Sequence, residues 1–390
     1  MNILHVTPTY YPATYWGGPI FSVYALNNAL ARLPDMALRI LTTDAAGPNM
    51  NDRVDVSALE EGLYPGQEVL FTRRVAGACV SVELLGRMPS LIRWADVVHL
   101  TATYSFPTIP TLFLCRVLNR PVVWSHRGAI LDACEWADAP RKRLKRVWEW
   151  LCNALICPGR VAAHVTSEKE QAAAQARIPK ANAVIVPNGI DVPSCLTAKD
   201  WMPHNKLRLM FMGRISPKKG IENLLQAMHI LNDPGVSLTI YGTGPSDYEA
   251  SVRRLADELT FPVGMVVFAG HVDGEAKKRA FLSADVCVVP SYSENFCMVV
   301  AEAMAHGVPV IASHGTPWGA VEEKGCGLWV DNSPDALVRA IMQIRSMPRE
   351  EMGKRGWEWM GMAYSWDSLA TEMMNVYNKL IFRRGELAEQ

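Results

Sequence analysis

Ser293-Glu294-Asn295-Phe296-Cys297-Met298-Val299-Val300-Ala301-Glu302 reads as a loop that turns into a helix, with two carboxylates eight residues apart across the helix start. A helix rises about 1.5 Å per residue, so eight helical steps separate the two side chains by roughly 12 Å. Glycosidase carboxyl pairs work at about 5 to 9.5 Å, which argues against a hydrolytic dyad made from these two. Between them, the amides of Phe296, Cys297 and Met298 fall in the first turn, where N–H groups lack helical partners and favour an anion. A diphosphate fits there, with one Glu on sugar hydroxyls and the other on ribose hydroxyls. Taken alone, the pair reads more readily as two solvated carboxylates on a surface helix.

Upstream, Phe211-Met212-Gly213-Arg214-Ile215-Ser216-Pro217-Lys218-Lys219-Gly220 follows the apolar run from Leu207 to Met212 and reads as strand, glycine turn, helix. Arg214 and Lys219 then project from the carboxyl end of a strand, the edge at which open α/β sheets bind ligands. Two cations there can neutralise a diphosphate in place of a divalent metal ion. An ordinary basic turn is the other reading of this segment by itself.

Short apolar runs alternate with helical stretches along the chain, which implies βα units and parallel sheets. In the first half the expected strands are Asn2 to Val6, Ala37 to Thr42, Val97 to Leu100 and Pro121 to Trp124, with a helix from Ile20 to Leu33. A second series has strands at Leu207 to Met212, Ser237 to Tyr241, Val266 to Ala269, Val286 to Val289 and Val308 to Ala312. The polar, Pro-containing run from Asp191 to Asn205 reads as a linker between them. The expected organisation is an N-terminal domain (1–190), a linker (191–205), a C-terminal domain (206–365) and a last helix (366–390). Leu369, Met373, Val376, Tyr377 and Leu380 place an apolar stripe on that helix, and a stripe needs a partner surface. Ala95-Asp96-Val97-Val98-His99 and Ala284-Asp285-Val286-Cys287-Val288 occupy comparable places in the two halves.

The first half carries weaker chemical signals. Gly17-Gly18-Pro19 opens a helix after the first strand, suited to phosphate or sugar against backbone amides or simply to a turn needing permissive dihedrals. No G-x-G-x-x-G follows that strand, which disfavours a dinucleotide oxidoreductase. His126 sits just past the strand ending at Trp124, at an edge where clefts form, although a lone His is also a common structural residue.

Composition bounds the rest. A chain of 390 residues is long for one core and suits two domains. Its 39 basic and 39 acidic residues leave no net field to favour nucleic acid. Nine cysteines without a C-x-x-C pair suit a reducing compartment and no zinc site. The start, Met1 to Pro8, reads as a first strand and not a signal peptide, and no run reaches the roughly 18 apolar residues of a spanning helix, so a cytoplasmic protein is expected. The stretch Arg141-Lys142-Arg143-Leu144-Lys145-Arg146-Val147-Trp148-Glu149-Trp150 combines five basic residues with two indoles. It reads either as a peripheral contact with an anionic membrane or as a helix with one solvated basic face and Trp in the core.

In sum of motifs, the chain resembles the retaining glycosyltransferases of family 4 (glycosyl transferases group 1). The resemblance rests on Gly17-Gly18, His126, Val186-Pro187-Asn188-Gly189-Ile190-Asp191, Gly213 to Gly220, Tyr241-Gly242-Thr243-Gly244-Pro245, Phe268-Ala269-Gly270-His271, and Pro290-Ser291 leading into Glu294 and Glu302. It is strongest where Glu302 runs on through Ala303-Met304-Ala305-His306-Gly307-Val308-Pro309-Val310-Ile311. It implies an α/β GT-B architecture: two Rossmann-like domains facing across a cleft, with the C-terminal helix crossing back to the N-terminal one. It implies a metal-independent, cofactor-free, retaining hexosyltransferase acting from a UDP- or GDP-hexose onto a glycan or lipid-linked acceptor. Such an enzyme serves surface polysaccharide synthesis (O-antigen, lipopolysaccharide, capsule or exopolysaccharide) on the inner face of the plasma membrane. By the same resemblance, His126 and Glu294 act on the donor sugar as the catalytic pair, and Arg214, Lys219, Gly17 and Gly18 hold the diphosphate. Asn295, Phe296, Cys297 and Met298 supply backbone contacts, and Glu302, Gly242, Gly244, His271 and Val272 receive the nucleoside. Cys297 departs from the pattern, because Gly is usual there. An epimerase of related fold and a non-catalytic nucleotide-binding regulator are the alternatives.

Overall fold

Both halves of the chain build an all-parallel sheet whose first strand in sequence lies in the middle. The computed structural model describes residues 1–55, 64–130, 141–201 and 205–388. It divides into two units, Met1–Gly189 with Trp366–Gln390, and Ile190–Ser365.

In the first unit, β1 (Asn2–Val6), β2 (Ala37–Thr43), β3 (Gln67–Thr72), β4 (Val97–Thr101), β5 (Val122–Ser125), β6 (Val161–Val165) and β7 (Asn182–Ile185) pair in the order β3-β2-β1-β4-β5-β6-β7. Every pairing is parallel. Parallel strands need crossovers, supplied here by helices including α1 (Gly18–Ala31), α2 (Val82–Trp94), α3 (Thr108–Val117), α4 (Lys142–Leu155) and α5 (Glu168–Arg177). Helices on the sheet explain why β5 and β6 are buried along their whole length and read as unbroken apolar runs. Local signals set the helix starts: the Ser81 and Ser167 side chains cap α2 and α5 by accepting from the amides of Leu84 and Glu170.

The second unit repeats the plan with β8 (Leu207–Met212), β9 (Val236–Tyr241), β10 (Val266–Gly270), β11 (Val286–Val289), β12 (Val310–Ser313) and β13 (Gly327–Val330), ordered β10-β9-β8-β11-β12-β13. Its helices are α6 (Ile221–Leu231), α7 (Ser246–Leu259), α8 (Gly274–Ser283), α9 (Met298–Ala305), α10 (Ala320–Glu323), α11 (Pro334–Arg345) and α12 (Arg349–Ala363). The paired Ala-Asp-Val segments do the same work in each unit. Asp96 precedes β4 and accepts from the Asn2 amide at 2.8 Å, while Asp285 precedes β11 and accepts from the Arg208 amide at 2.8 Å. Each carboxylate thus ties the fourth strand to the start of the first.

Where it is described, the run 191–205 packs on the second unit: Val192 lies against its core and the Trp357 indole donates to the Pro193 carbonyl at 2.9 Å. Residues 202–204 lie outside the described residues. The last helix, α13 (Trp366–Ala388), belongs to the first unit and packs on α1. Its stripe is buried there, with Leu369, Met373, Val376, Tyr377 and Leu380 in one cluster with Val23, Leu26 and Leu30.

Three histidines, on β1, β4 and β6, lie at the heart of the first unit. His5 Nδ1 donates to Asn27 Oδ1 at 2.7 Å and its Nε2 accepts from Thr101 Oγ1 at 2.8 Å. His164 Nε2 donates to the Val186 carbonyl at 2.8 Å and its Nδ1 accepts from Ser125 Oγ at 2.6 Å. Only a neutral imidazole can donate on one nitrogen and accept on the other. His99 stacks on His5 and shares a 2.6 Å bond with the Tyr377 hydroxyl of α13. Burial pushes the His5 imidazole down to about 4, and holds His99 and His164 well below the usual range.

A pH dependence follows from these depressed values. Above the unfolded-state value near 6.5 both states are neutral and stability is full; below it the unfolded chain takes up protons that the folded one refuses. The contribution of these histidines should be constant above pH 7, and stability should fall as pH drops from about 6.5 toward 4. Each of these groups contributes a slope of about 1.4 kcal/mol per pH unit. Urea midpoints measured across this range check it, and an unchanged midpoint down to pH 4 would contradict the neutral assignment.

Candidate active site

In the second unit the strand order reverses between β8 and β11, so the crossovers leaving them run to opposite faces and a crevice opens at their carboxyl ends. The loop after β8 carries Arg214 and Lys219; the loop after β11 carries Glu294 and leads into α9.

Glycines let the two loops approach. Gly220 has φ of 61°, and a Cβ there would fall 2.3 Å from the Pro290 carbonyl oxygen. Any other residue would push the first loop off the end of β11. The Tyr292 amide then donates to the Lys218 carbonyl at 2.8 Å, and the Glu294 amide donates to the Gly315 carbonyl at 2.8 Å. Across the crevice, Lys219 Nζ and Glu294 Oε1 form an ion pair at 2.5 Å, with Ser291 Oγ donating to the same oxygen at 2.7 Å. Both side chains are mostly buried. Arg214 is exposed and has no side-chain partner among the described residues. The edge therefore presents one free guanidinium beside a lysine already matched to a carboxylate.

α9 opens at Met298, with Cys297 as its N-cap at φ of 64°. This is the left-handed conformation that glycine adopts freely and that costs other residues roughly 1 to 2 kcal/mol. Cys297 holds it because its surroundings are fixed. Phe296 is buried against Trp318 and Tyr364, and the Trp318 indole donates to the Phe296 carbonyl at 2.5 Å. Burial pushes the Cys297 thiol well above its ordinary value, so it is an inert packing group. Glu302, on the next turn of α9, is paired with Lys277 Nζ of α8 at 2.5 Å.

Gly242 and Gly244 serve packing between loops. A Cβ at Gly242 would lie 1.8 Å from the Gly213 carbonyl oxygen, and one at Gly244 would lie 2.0 Å from that of Ile215. They allow the loop after β9 to lie on the anion-seeking loop after β8, held by the Ile215 amide donating to the Thr243 carbonyl. His271 is exposed just past β10, while Val272 packs against the core behind β11 and β12. The sequence pointed to Ser291 only as part of the motif leading into Glu294, and did not point to Lys277, Gly315 or Trp318. No local pattern marks them, because each acts through a contact made by the fold.

The first unit holds the other assigned residues at its own carboxyl edge. Gly17, with φ of 74°, caps α1; among the described residues nothing lies within 4 Å of a Cβ at Gly17 or Gly18, and the Gly17 amide donates to the Thr14 carbonyl at 2.9 Å. His126 follows β5, is buried, and shares a 3.2 Å bond with Thr103 Oγ1 through Nδ1. Its Nε2 has no partner among the described residues. Burial, aided by the Arg177 charge, holds His126 down to about 3, so this imidazole is neutral at physiological pH and suits hydrogen bonding to a hydroxyl better than proton transfer as an imidazolium.

Substitutions at 297 test the helix opening. Cys297→Gly removes the backbone strain but also a buried thiol and should change unfolding stability by no more than about 1 kcal/mol, whereas Cys297→Val adds a β-branched side chain in a left-handed position and should cost at least about 2 kcal/mol. Thermal unfolding of both variants decides. Equal stability of the two would remove the conformational argument.

The chain is similar in sequence and fold to known glycosyltransferases. The family model of glycosyl transferases group 1 matches residues 198–359, a segment that contains both loops and α9. An uncharacterized glycosyltransferase of Methanocaldococcus jannaschii is 29% identical over 283 residues, 68% of this chain and 70% of its own length. A GDP-mannose-dependent alpha-mannosyltransferase of Mycolicibacterium smegmatis is 31% identical, over 62% of each chain. A phosphatidyl-myo-inositol mannosyltransferase of Mycobacterium tuberculosis is 32% identical, and the match spans about half of each chain, 50% of this one and 54% of the relative. Among solved structures, sucrose-phosphate synthase from Thermosynechococcus elongatus matches 97% of this chain and 99% of its own at a TM-score of 0.69 and 22% identity. Anabaena HepE in complex with UDP matches 97% and 100% at a TM-score of 0.70 and 15% identity, a likeness of fold. Residues 198–359 thus match the glycosyl transferases group 1, and the two-sheet α/β architecture is that of the GT-B fold.

Proposed function

We propose that the chain is a retaining hexosyltransferase that takes its sugar from a UDP- or GDP-hexose and binds the diphosphate at the β8/β11 crevice. The observation that carries this reading is the exposed Arg214, without a side-chain partner among the described residues, on the same loop as the Lys219 that pairs with Glu294 ahead of α9. The names of relatives and neighbours support it, since one of the former uses GDP-mannose and structures of HepE hold UDP and UDP-glucose.

In this reading, negative charge developing on the departing diphosphate is met by Arg214, by Lys219 and by the unpaired amides at the start of α9. Glu294, already fixed by Ser291, accepts from sugar hydroxyls as the phosphate draws Lys219 toward itself. Glu302 accepts from the ribose, oriented by Lys277. The acceptor hydroxyl attacks on the face from which the diphosphate leaves, and a phosphate oxygen of the donor takes its proton, so no protein nucleophile is assigned. Two cations and a helix end replace a divalent ion, and transfer should persist in chelator. Conversion of the donor without any acceptor would point instead to an epimerase.

Arg214→Ala should weaken nucleoside diphosphate binding by about 10- to 100-fold, the equivalent of one charge-assisted bond of about 1.5 to 3 kcal/mol. Calorimetric titration with UDP and GDP in the presence of EDTA measures this. Affinity equal to wild type would take Arg214 out of the phosphate site.

We assign the acceptor to a lipid-linked or surface glycan, reached from a membrane surface. No helix among the described residues is long and apolar enough to cross a membrane. On α4, Trp148 packs inward with its indole donating to the Thr103 carbonyl at 2.7 Å, but Leu144, Val147 and Trp150 are 62%, 55% and 68% exposed. Of Leu144, Val147, Trp148 and Leu151, whose helical spacing suits a core equally well, Trp148 alone turns inward, and Leu151 is 39% exposed. Phe113 and Val117 of the adjoining α3 are exposed as well, and Arg141, Lys142, Arg143, Lys145 and Arg146 accompany these side chains. Apolar side chains among cations complement an anionic lipid surface. Sedimentation with phosphatidylglycerol vesicles should capture the protein, and Arg141, Lys142 and Lys145 replaced together by Glu should weaken capture on the order of 100-fold, at about 1 kcal/mol per basic residue. Undiminished capture of the triple variant would reject this face.

A further inference from the structure

At the carboxyl ends of β2 and β3, the first unit has a groove of about 490 Å³ lined by Asp44, Arg53, Phe71, Thr72, Arg73 and Glu83, none of them assigned above. One wall is a fixed loop. Ala45 and Arg53 close its ends in an antiparallel bridge, and the amides of Ala46 and Val54 donate to the carbonyls of Asp52 and Asp44, each at 2.9 Å. The fully buried Arg74 fills its interior, donating to the carbonyls of Gly47 at 2.8 Å, of Asp52 at 3.0 Å and of Asn49. A buried guanidinium that keeps its hydrogen bonds holds such a loop in one shape. Asp44, at the entrance to the loop, accepts from the Arg74 amide at 2.7 Å and pairs with Arg53.

Two carboxylates and two guanidinium groups line the groove, but their pairing leaves one cation over. Asp44 is matched by Arg53, and Glu83 is matched by Arg87 at 2.7 Å while also accepting from the Arg73 amide at 3.1 Å. Arg73 itself is exposed and its guanidinium has no side-chain partner among the described residues. A single unbalanced cation seats one anionic group. The two carboxylates repel a bare anion but accept from hydroxyls, the arginines donate to hydroxyl oxygens, and Phe71 offers an apolar wall. Carboxylates, guanidinium groups and an aromatic ring around one free cation form a surface for a sugar that is itself acidic.

We propose that this groove binds a saccharide unit carrying one anionic group, a hexuronate or a sugar phosphate, with Arg73 on the acid and Asp44 and Glu83 on hydroxyls. Calling that unit part of the acceptor rests on the transferase reading; the binding does not. Four probes separate the possibilities on the full chain by calorimetry: methyl β-glucuronide, glucose 6-phosphate, methyl β-glucoside and inorganic phosphate. At least one acidic sugar should bind about tenfold more tightly than the neutral glucoside, as one charge-assisted contact implies. Arg73→Gln, a change at an exposed side chain, should abolish that preference and leave nucleoside diphosphate binding unchanged. Glu83→Gln should weaken the acidic sugars while strengthening inorganic phosphate. Equal binding of acidic and neutral sugars, a preference that survives Arg73→Gln, or inorganic phosphate bound as tightly as glucose 6-phosphate would each overturn the proposal. Acidic-sugar binding in a wild-type chain that binds neither UDP nor GDP would leave the groove standing and sink the transferase reading.

Discussion

The reversal of strand order beside β8 is the constraint from which the active-site geometry follows. With every pairing parallel, each connection must cross a face of the sheet, and only where successive crossovers take opposite faces do two neighbouring loops part at the strands' carboxyl ends. The chain places its anion-seeking loop on one side of that gap and α9 on the other. The Lys219–Glu294 pair spans it, so the two halves of the site are held in register before anything binds.

Rigidity there comes from backbone contacts more than from the charges. Gly220, Gly242 and Gly244 each stand where a Cβ would meet a carbonyl oxygen, and the loops they bring together exchange amide bonds along their length. Cys297 shows the same pressure from the other side. It accepts a strained left-handed backbone because Phe296, clamped by Trp318 and Tyr364, leaves the chain no other way into α9. Such preorganisation is what electrostatic stabilisation of a departing diphosphate requires, since the donors need not move at the moment of reaction.

The fold was legible because parallel strands buried on both faces are written as short apolar runs. Leu207–Met212 and Val286–Val289 have the bounds that the residues suggest. The strand expected from Val308 starts at Val310, because Pro309 cannot donate to the ladder and stays in the turn. β6 and β7 were passed over in an alanine-rich stretch, and β13 because Gly327 and Trp329 do not form an apolar run. At the site, the cations and carboxylates stood out by type and spacing, but their pairing did not. That Lys219 meets Glu294, that Lys277 meets Glu302 and that two glycines serve loop packing depend on residues distant in sequence, which only the sheet brings together. The outward turn of Leu144 and Val147 was hidden for a related reason, since one periodicity serves a core face and a membrane face alike.

The central claim is that a nucleoside diphosphate seats itself at the β8/β11 crevice. Amide hydrogen exchange on the whole chain, with and without UDP or GDP, tests it without presuming a sugar or an acceptor. The account predicts slowed exchange in the turn 213–220 and at the opening of α9, residues 294–299, with the loop 45–53 of the first unit unchanged. Protection confined to the first unit, or none in either of those two segments at saturating nucleotide, would contradict it.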